Sequence, residues 1–126
     1  MTDEEEDELE RFIAEWHWND QSYRYARDLG KYVFEFIDEL YDRGLSKKTV
    51  LKHCDNCWAI GYLECHYGYA TDRGFNPARV FCSDEADNEY EFGRKFSDTN
   101  YALTSYRATW RKIYKYTKGA THVREE

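Results

Sequence analysis

The stretch "YVFEFIDELYDRGLSKKTVLKHC", residues 32–54, predicts two helices joined by a short turn. Its first half belongs to an apolar stripe at helical spacing that covers about residues 22–43 and stops at Gly44, since glycine readily adopts the backbone conformation that ends a helix. Ser46 is placed to cap a second helix, which we expect over about residues 46–67. The predicted stripe of the earlier helix consists of Tyr25, Leu29, Tyr32, Val33, Phe36, Ile37 and Leu40. The segment therefore indicates an α-helical fold.

Two further long helices are predicted toward the ends of the chain. The first covers about residues 3–18, where Thr2 and Glu5 fit a capping box. Its apolar stripe is Leu9, Phe12, Ile13 and Trp16. The last covers about residues 98–118 and should stop at Gly119. One side of this last helix carries Leu103, Tyr106, Trp110, Ile113 and Thr117.

The region between the third and last helices is predicted to contain short helices and loops. Gly68 should end the third helix, and residues 69–97 show no long apolar stripe. Asn76 followed by Pro77 is typical of a helix start, because proline fits the first helical turn. Ser83 is expected to start another short helical turn. No segment alternates convincingly with the period of two that a strand requires.

Composition favours one helical domain over residues 1–126. The chain is 41% hydrophobic and 18% aromatic with a single proline, which indicates a buried core rather than disorder. No apolar run approaches the roughly 18 residues that a membrane span needs. The first residues are acidic, whereas a secretory signal begins basic and then becomes apolar. We therefore predict an all-α bundle of about four main helices in a cytoplasmic protein with no membrane partner.

Charge is distributed unevenly along the chain. The formal net charge is −7, but residues 1–20 alone carry −8 and the remaining residues carry +1. The last stretch, residues 98–126, holds six basic and three acidic residues. The two ends are interpreted either as solvated helix faces or as surfaces for a charged partner.

Three cysteines lie on the apolar stripe of the third helix. Cys54, Cys57 and Cys65 share an arc of about 140° with Gly61, so we predict that the thiols are core residues and that another helix passes close to the glycine. Cys54 and Cys65 lie about 16 Å apart along a continuous helix, which is too far to share a metal. Cys54 and Cys57 would need two further ligands, for which the candidates are His53, His66 and Cys82. A redox role is weaker, because the pair lies inside the helix and away from its N-terminus.

No arrangement of polar residues in the sequence points to a reaction. The histidines are scattered, and no phosphate loop, nucleophile elbow or paired-carboxylate pattern occurs. The four histidines are His17, His53, His66 and His122. We expect partly buried or surface histidines, no catalytic residues, no cofactor and no resident metal, and therefore not an enzyme.

Residues 32–64 resemble the first helix-turn-helix of the SAM-like core-binding domain of tyrosine recombinases. In that family an amphipathic helix ends in a GLS-x-x-T turn before a basic helix, and here Gly44, Leu45, Ser46 and Thr49 match the turn. The resemblance implies that Lys47, Lys48 and Lys52 would contact DNA phosphates. The sequence departs from the family at Asp55, Asn56, Cys57 and Trp58, and it lacks the catalytic domain, so the resemblance implies a stand-alone binding module.

Two functional classes remain open. The first is a protein-interaction or regulatory module, including self-association as a homodimer, because twelve tyrosines and four tryptophans exceed what a small core readily buries. The alternative is nucleic-acid binding, in which cations neutralise phosphates and aromatic rings stack on bases. Its predicted contacts are Lys47, Lys48 and Lys52, or Arg107, Arg111, Lys112, Lys115 and Lys118 with the interleaved rings of Tyr106, Trp110, Tyr114 and Tyr116. The sequence pI of 5.1 favours the first class, in which the partner is another protein.

Overall fold

The computed structural model describes residues 3–17, 19–67 and 74–125, and every regular element in those ranges is a helix. In chain order the helices are α1 Asp3–Trp16, α2 Asp20–Asp42, α3 Lys47–Tyr67, α4 Pro77–Val80, α5 Glu89–Lys95 and α6 Asn100–Glu125. The all-α prediction is confirmed. The short helices that we expected between the third and last long helices are also present, as α4 and α5. Thr2 and residues 68–73, which include Gly68, lie outside the described residues.

The chain divides into two compact units, residues 1–75 and 76–126. The first contains α1, α2 and α3, which pack on one another, and the second contains α4 and α5 packed on α6. We predicted that the four long helices form one bundle in a single domain, and this stays a prediction.

Trp16 is central to the core of the first unit. Its side chain is fully buried, and its indole Nε1 donates a hydrogen bond to the carbonyl oxygen of Trp58 on α3 over 3.0 Å. The ring of Phe12 lies 5.3 Å, centroid to centroid, from both Trp16 and Phe34 of α2. The predicted stripe of α1 is buried throughout, and so is that of α2 except for Tyr32, which is partly exposed. Helical periodicity therefore identified the correct inner faces.

Capping explains where these helices begin and end. Asn19 and Ser22 form a capping box: the Asn19 side chain accepts a hydrogen bond from the Ser22 backbone N–H at 2.8 Å, and the serine hydroxyl accepts from the Asn19 N–H at 3.0 Å. As a result α2 begins at Asp20, two residues before the predicted start at about Ser22. Gly44 follows α2 with φ +85°, and Ser46 accepts from the Thr49 N–H at 3.2 Å, which confirms both turn assignments.

Aromatic side chains pack against α6 in the second unit. Trp110 donates its indole N–H to the carbonyl oxygen of Ser83 at 3.0 Å and lies 5.0 Å from the ring of Phe81. Tyr106 stacks on Phe92 of α5 at 4.1 Å. Burial of these rings holds α6 against the two short helices.

Two expectations about this unit are wrong and one is confirmed. Asn76 caps α4 through the Ala78 N–H at 3.0 Å, with Pro77 at the first helical position. Ser83 starts no helix, because its hydroxyl accepts instead from the Glu85 N–H in a local turn. Gly119 does not end α6, which continues to Glu125; glycine permits a helix stop but does not impose one.

Candidate interaction surface on the last helix

A row of cations runs along the exposed side of α6. We call Arg107, Arg111, Lys115 and Lys118 the cationic face of α6; all four are exposed, whereas Lys112 is partly buried. At about 100° and 1.5 Å per residue they lie within an arc of about 80° and span about 16 Å of the helix axis. Residues 100–124 contain no acidic residue, so this length of helix has no carboxylate of its own.

The opposite side of α6 is buried, which fixes the direction of the cationic face. Tyr106 and Trp110 are at most 1% exposed, and Ile113 is fully buried. The hydroxyl of Tyr106 also donates a hydrogen bond of 2.6 Å to Oδ1 of Asn88. A helix held by its aromatic side cannot rotate without losing this packing. The cations are therefore presented on a rigid element.

The members of the cationic face differ in what surrounds them. Arg107 forms an ion pair with Glu89 of α5. The ammonium nitrogen of Lys118 lies 6.0 Å from the ring centroid of Tyr114, at the outer range of a cation–π contact. Arg111 and Lys115 make no ion pair with any described residue. An anion that approaches these two cations has no ion pair with a described carboxylate to displace.

The other predicted basic residues belong to the first unit. Lys47 and Lys48 are exposed in the first turn of α3, and Lys52 is exposed one turn further along. Asp55 is exposed on the next turn, so acidic charge interrupts this basic run. The predicted contacts are thus split between two compact units, and the resemblance to the recombinase core-binding domain stays a prediction.

The thiols of α3 are poorly suited to nucleophilic or redox chemistry. Cys57 and Cys65 are buried, which confirms their core placement, while Cys54 is partly exposed. Burial, reinforced by the charge of Asp55, raises the pKa of Cys54 to about 11. Burial and the nearby Glu64 raise the pKa of Cys65 to about 12, and burial raises the pKa of Cys57 well above its usual value. All three are neutral thiols near pH 7.

The candidate metal ligands are not brought together within the described part of the chain, where no three histidine, cysteine or acidic side chains are arranged to hold a metal ion. His53 is buried, whereas His66 is exposed and stacks on Tyr62 at 4.2 Å. His17 lies in the first unit, with Nδ1 2.7 Å from the carbonyl oxygen of Ile13. The side chain of His122 lies outside the described residues. The histidines that can be described therefore have separate local environments.

One surface feature that sequence reasoning missed is a groove beside α5. Glu89, Tyr90, Gly93 and Arg94 of α5 line it together with Asp98 and Leu103, and its volume is about 420 Å³. Tyr90 is 75% exposed, and Tyr101 at the start of α6 is 69% exposed. Exposed tyrosines are common in protein interfaces. The excess of tyrosine was the available signal, but only folding distinguishes the exposed rings from the buried ones.

A second missed feature is an acid pair between α1 and α2. Partial burial, a hydrogen bond to the Glu5 side chain and the charge of that carboxyl raise the pKa of Asp38 to about 6, against an ordinary value of 3.8. The two residues are 33 positions apart in the sequence, so no local pattern indicated their contact.

Comparison with protein families, with characterised proteins and with solved structures finds no match to this chain. No helix in the described ranges combines the length and apolar character needed to cross a membrane. The functional argument therefore rests on the chemistry of the surface itself.

Proposed function

We propose that this protein is a non-enzymatic interaction module that binds an acidic protein surface through the cationic face of α6. The observation that supports this most directly is the pair Arg111 and Lys115, exposed and without an ion-pair partner among the described residues, on a helix whose other side is buried. The cationic face is about 16 Å long, which corresponds to three turns of a partner helix. Charge arranged in this way directs partner choice and orientation more than it adds affinity.

A protein partner is favoured over nucleic acid by the charge of the whole chain. Residues 76–126, which carry the cationic face, have a formal charge of only +1, and residues 1–20 carry −8. This acidic segment would repel a phosphate backbone at low salt. The runner-up remains nucleic-acid binding, and the observation that favours it is Tyr114, whose ring lies on the same side of α6 as the cations.

A non-enzymatic role is supported by the state of the nucleophiles. The buried thiols of Cys57 and Cys65 have pKa values far above neutral pH, and the described histidines have separate environments. Such groups pack a core well but supply no activated nucleophile with an adjacent base.

The proposal is tested with a synthetic helical peptide that carries glutamates at positions i, i+4 and i+7. A scrambled peptide of the same composition controls for net charge, and a single-stranded oligonucleotide represents the runner-up. Binding to the full chain is measured by fluorescence anisotropy at increasing salt. We expect the ordered peptide to bind more tightly than the scrambled one, and salt to weaken the binding.

Charge reversal on the chain locates the binding surface. Arg111→Glu with Lys115→Glu should weaken peptide binding by about 2 kcal/mol, or roughly thirtyfold, because two weak attractions become repulsions. Lys47→Glu with Lys48→Glu makes the same charge change in the other unit and should have little specific effect. Equal affinity for both peptides would contradict the proposal. Tighter oligonucleotide binding, with a log–log salt slope of about −0.7 per phosphate, would favour the runner-up.

A further inference from the structure

The chain carries an acidic surface of its own on α1. Asp3, Asp7 and Glu10, which we call the acidic face of α1, are all exposed. They lie within an arc of about 60° and span about 10 Å of the helix axis. The basic residue of this helix, Arg11, is already engaged in ion pairs with Glu8 and Glu15. The acidic face is therefore not neutralised by its own helix.

The acidic face and part of the cationic face share the same spacing. Asp3, Asp7 and Glu10 are separated by four and then three residues, and so are Arg111, Lys115 and Lys118 on α6. When two such helices lie side by side in the same direction, each carboxylate can face one cation, since both rows follow the same helical geometry. The carboxylates and the cations therefore follow each other along the two helices in the same order and at the same intervals.

The acidic face also borders a recess suited to long basic side chains. Glu6, Asp7 and Glu10 of α1 line a groove of about 440 Å³ with Glu35 of α2. Leu9 forms an apolar part of the lining, and Lys31 brings one positive charge against the four carboxylates. Lysine and arginine can lay their aliphatic stems along such a wall while their charged ends reach the carboxylates.

We infer that the acidic partner of the cationic face is a second copy of this chain, whose α1 acidic face docks against α6. This inference rests on the proposed function, in which α6 binds an acidic protein surface, and it names that surface. Each copy carries both faces, so one kind of chain supplies both sides of the contact. The association is weak, with a dissociation constant on the order of 10⁻⁴ M at low salt, because exposed ion pairs contribute little individually.

The experiment exchanges the charges of the two faces in separate full-length chains. One variant carries Asp7→Lys and Glu10→Lys, and the other carries Lys115→Glu and Lys118→Glu. Association is measured by sedimentation velocity at low and high salt. Native mass spectrometry of a mixture, with one variant labelled with nitrogen-15, identifies mixed dimers. Circular dichroism and melting temperature establish that each variant is folded.

The wild-type chain should form a dimer that dissociates at high salt, and each variant alone should be monomeric because two of the three matched charge pairs become like-charged. The equal mixture should recover dimers that contain one copy of each variant, since the reversed faces are complementary. A chain with all four substitutions should again dimerise with itself. The neutral variants Asp7→Asn with Glu10→Gln, and Lys115→Gln with Lys118→Gln, should weaken the dimer at least tenfold and should not be rescued by mixing.

Several results would overturn the inference. A wild-type chain that stays monomeric at low salt and high concentration rules out the second copy, and binding of the ordered glutamate peptide would then show that the proposed function survives. A dimer that persists in both charge-reversed variants would mean that other surfaces make the contact. Loss of association in each variant without recovery in the mixture would show that the two faces do not meet. Displacement of the dimer by oligonucleotide at lower concentration than by the peptide would assign the cationic face to nucleic acid.

Discussion

Replacement of Gly61 by alanine should be the most informative change in the core of the first unit. Gly61 is buried on α3, and a Cβ atom there would overlap three atoms of the six-membered and five-membered rings of Trp16. The indole has little freedom to move, because it is fully buried and its N–H is hydrogen-bonded to Trp58. A single methyl group therefore forces either the ring or the α1–α3 spacing to change.

The expected magnitude follows from three opposing effects. Overpacking of a rigid core costs about 3 kcal/mol at the upper end of its usual range. Weakening the hydrogen bond from Trp16 to Trp58 adds about 1 kcal/mol. Better helix propensity of alanine over glycine offsets about 1 kcal/mol. We expect a net loss of about 3 kcal/mol in the free energy of unfolding, which corresponds to a fall of roughly 10 °C in melting temperature.

Gly30→Ala is the matched control. A Cβ at Gly30 would lie 2.5 Å from Cδ1 of Leu9, which is the end of a flexible side chain and can rotate away. The other nearest atoms, on Trp16 and Ile13, lie at 3.7 and 3.9 Å, which is ordinary contact. Strain and helix propensity should nearly cancel here, so the change should be within about 1 kcal/mol.

Urea unfolding followed by circular dichroism measures both variants, and a double-mutant cycle tests the named contact. Trp16→Phe removes the ring that the new methyl group would strike, so the double variant Gly61→Ala with Trp16→Phe should be more stable than the sum of the single losses implies. The reasoning would be refuted if Gly61→Ala were no less stable than Gly30→Ala, or if the two changes at positions 61 and 16 were additive.

Three other predictions concern a carboxyl, a thiol and a buried hydroxyl. Because Glu5 and burial raise the folded-state pKa of Asp38 to about 6, the folded chain binds this proton more tightly than the unfolded chain, and stability falls as pH rises from about 4 through 6. Asp38→Asn should therefore be more stable than wild type at pH 7.5 by up to about 1 kcal/mol, after allowance for solvent screening, with the difference vanishing near pH 4 in thermal melts. The thiol of the buried Cys57 should resist alkylation until the chain unfolds. Elemental analysis should find no stoichiometric zinc or iron, and a chelator should leave the melting temperature unchanged. One metal ion per chain would contradict the assignment of the thiols to the core. Tyr106→Phe should cost about 1 to 2 kcal/mol, because it removes the buried hydrogen bond to Asn88, and unchanged stability would mean that this bond contributes nothing.

The sequence by itself determined the four long helices and most of the inner faces of α1 and α2. The spacing of Leu9, Phe12, Ile13 and Trp16 placed one apolar side on α1, and burial of all four confirms it. Local chemistry also determined the turn between α2 and α3. Gly44 adopts a positive φ, and the Ser46 hydroxyl accepts a hydrogen bond from the Thr49 N–H three residues later. Gly119 shows the limit of such signals, since glycine only permits a helix to end.

The candidate surface could be predicted in part. The basic residues of α6 were evident from the sequence, whereas the structure shows that four of them are exposed and that Lys112 is partly buried. Their pairing could not be predicted, because Glu89, which meets Arg107, is 18 residues away on a separate helix. The sequence also gave no indication that Arg111 and Lys115 would form no ion pair with the described residues.

Only the tertiary structure decided which inner faces meet. Periodicity predicted that a helix passes close to Gly61, but it did not identify Trp16 as the side chain that occupies the space. It likewise placed Glu5 and Asp38 on separate helices without bringing them together. The physical reason is that hydrophobic burial is non-directional: an apolar stripe determines that a helix face will be covered, whereas the shape of its neighbours determines by what.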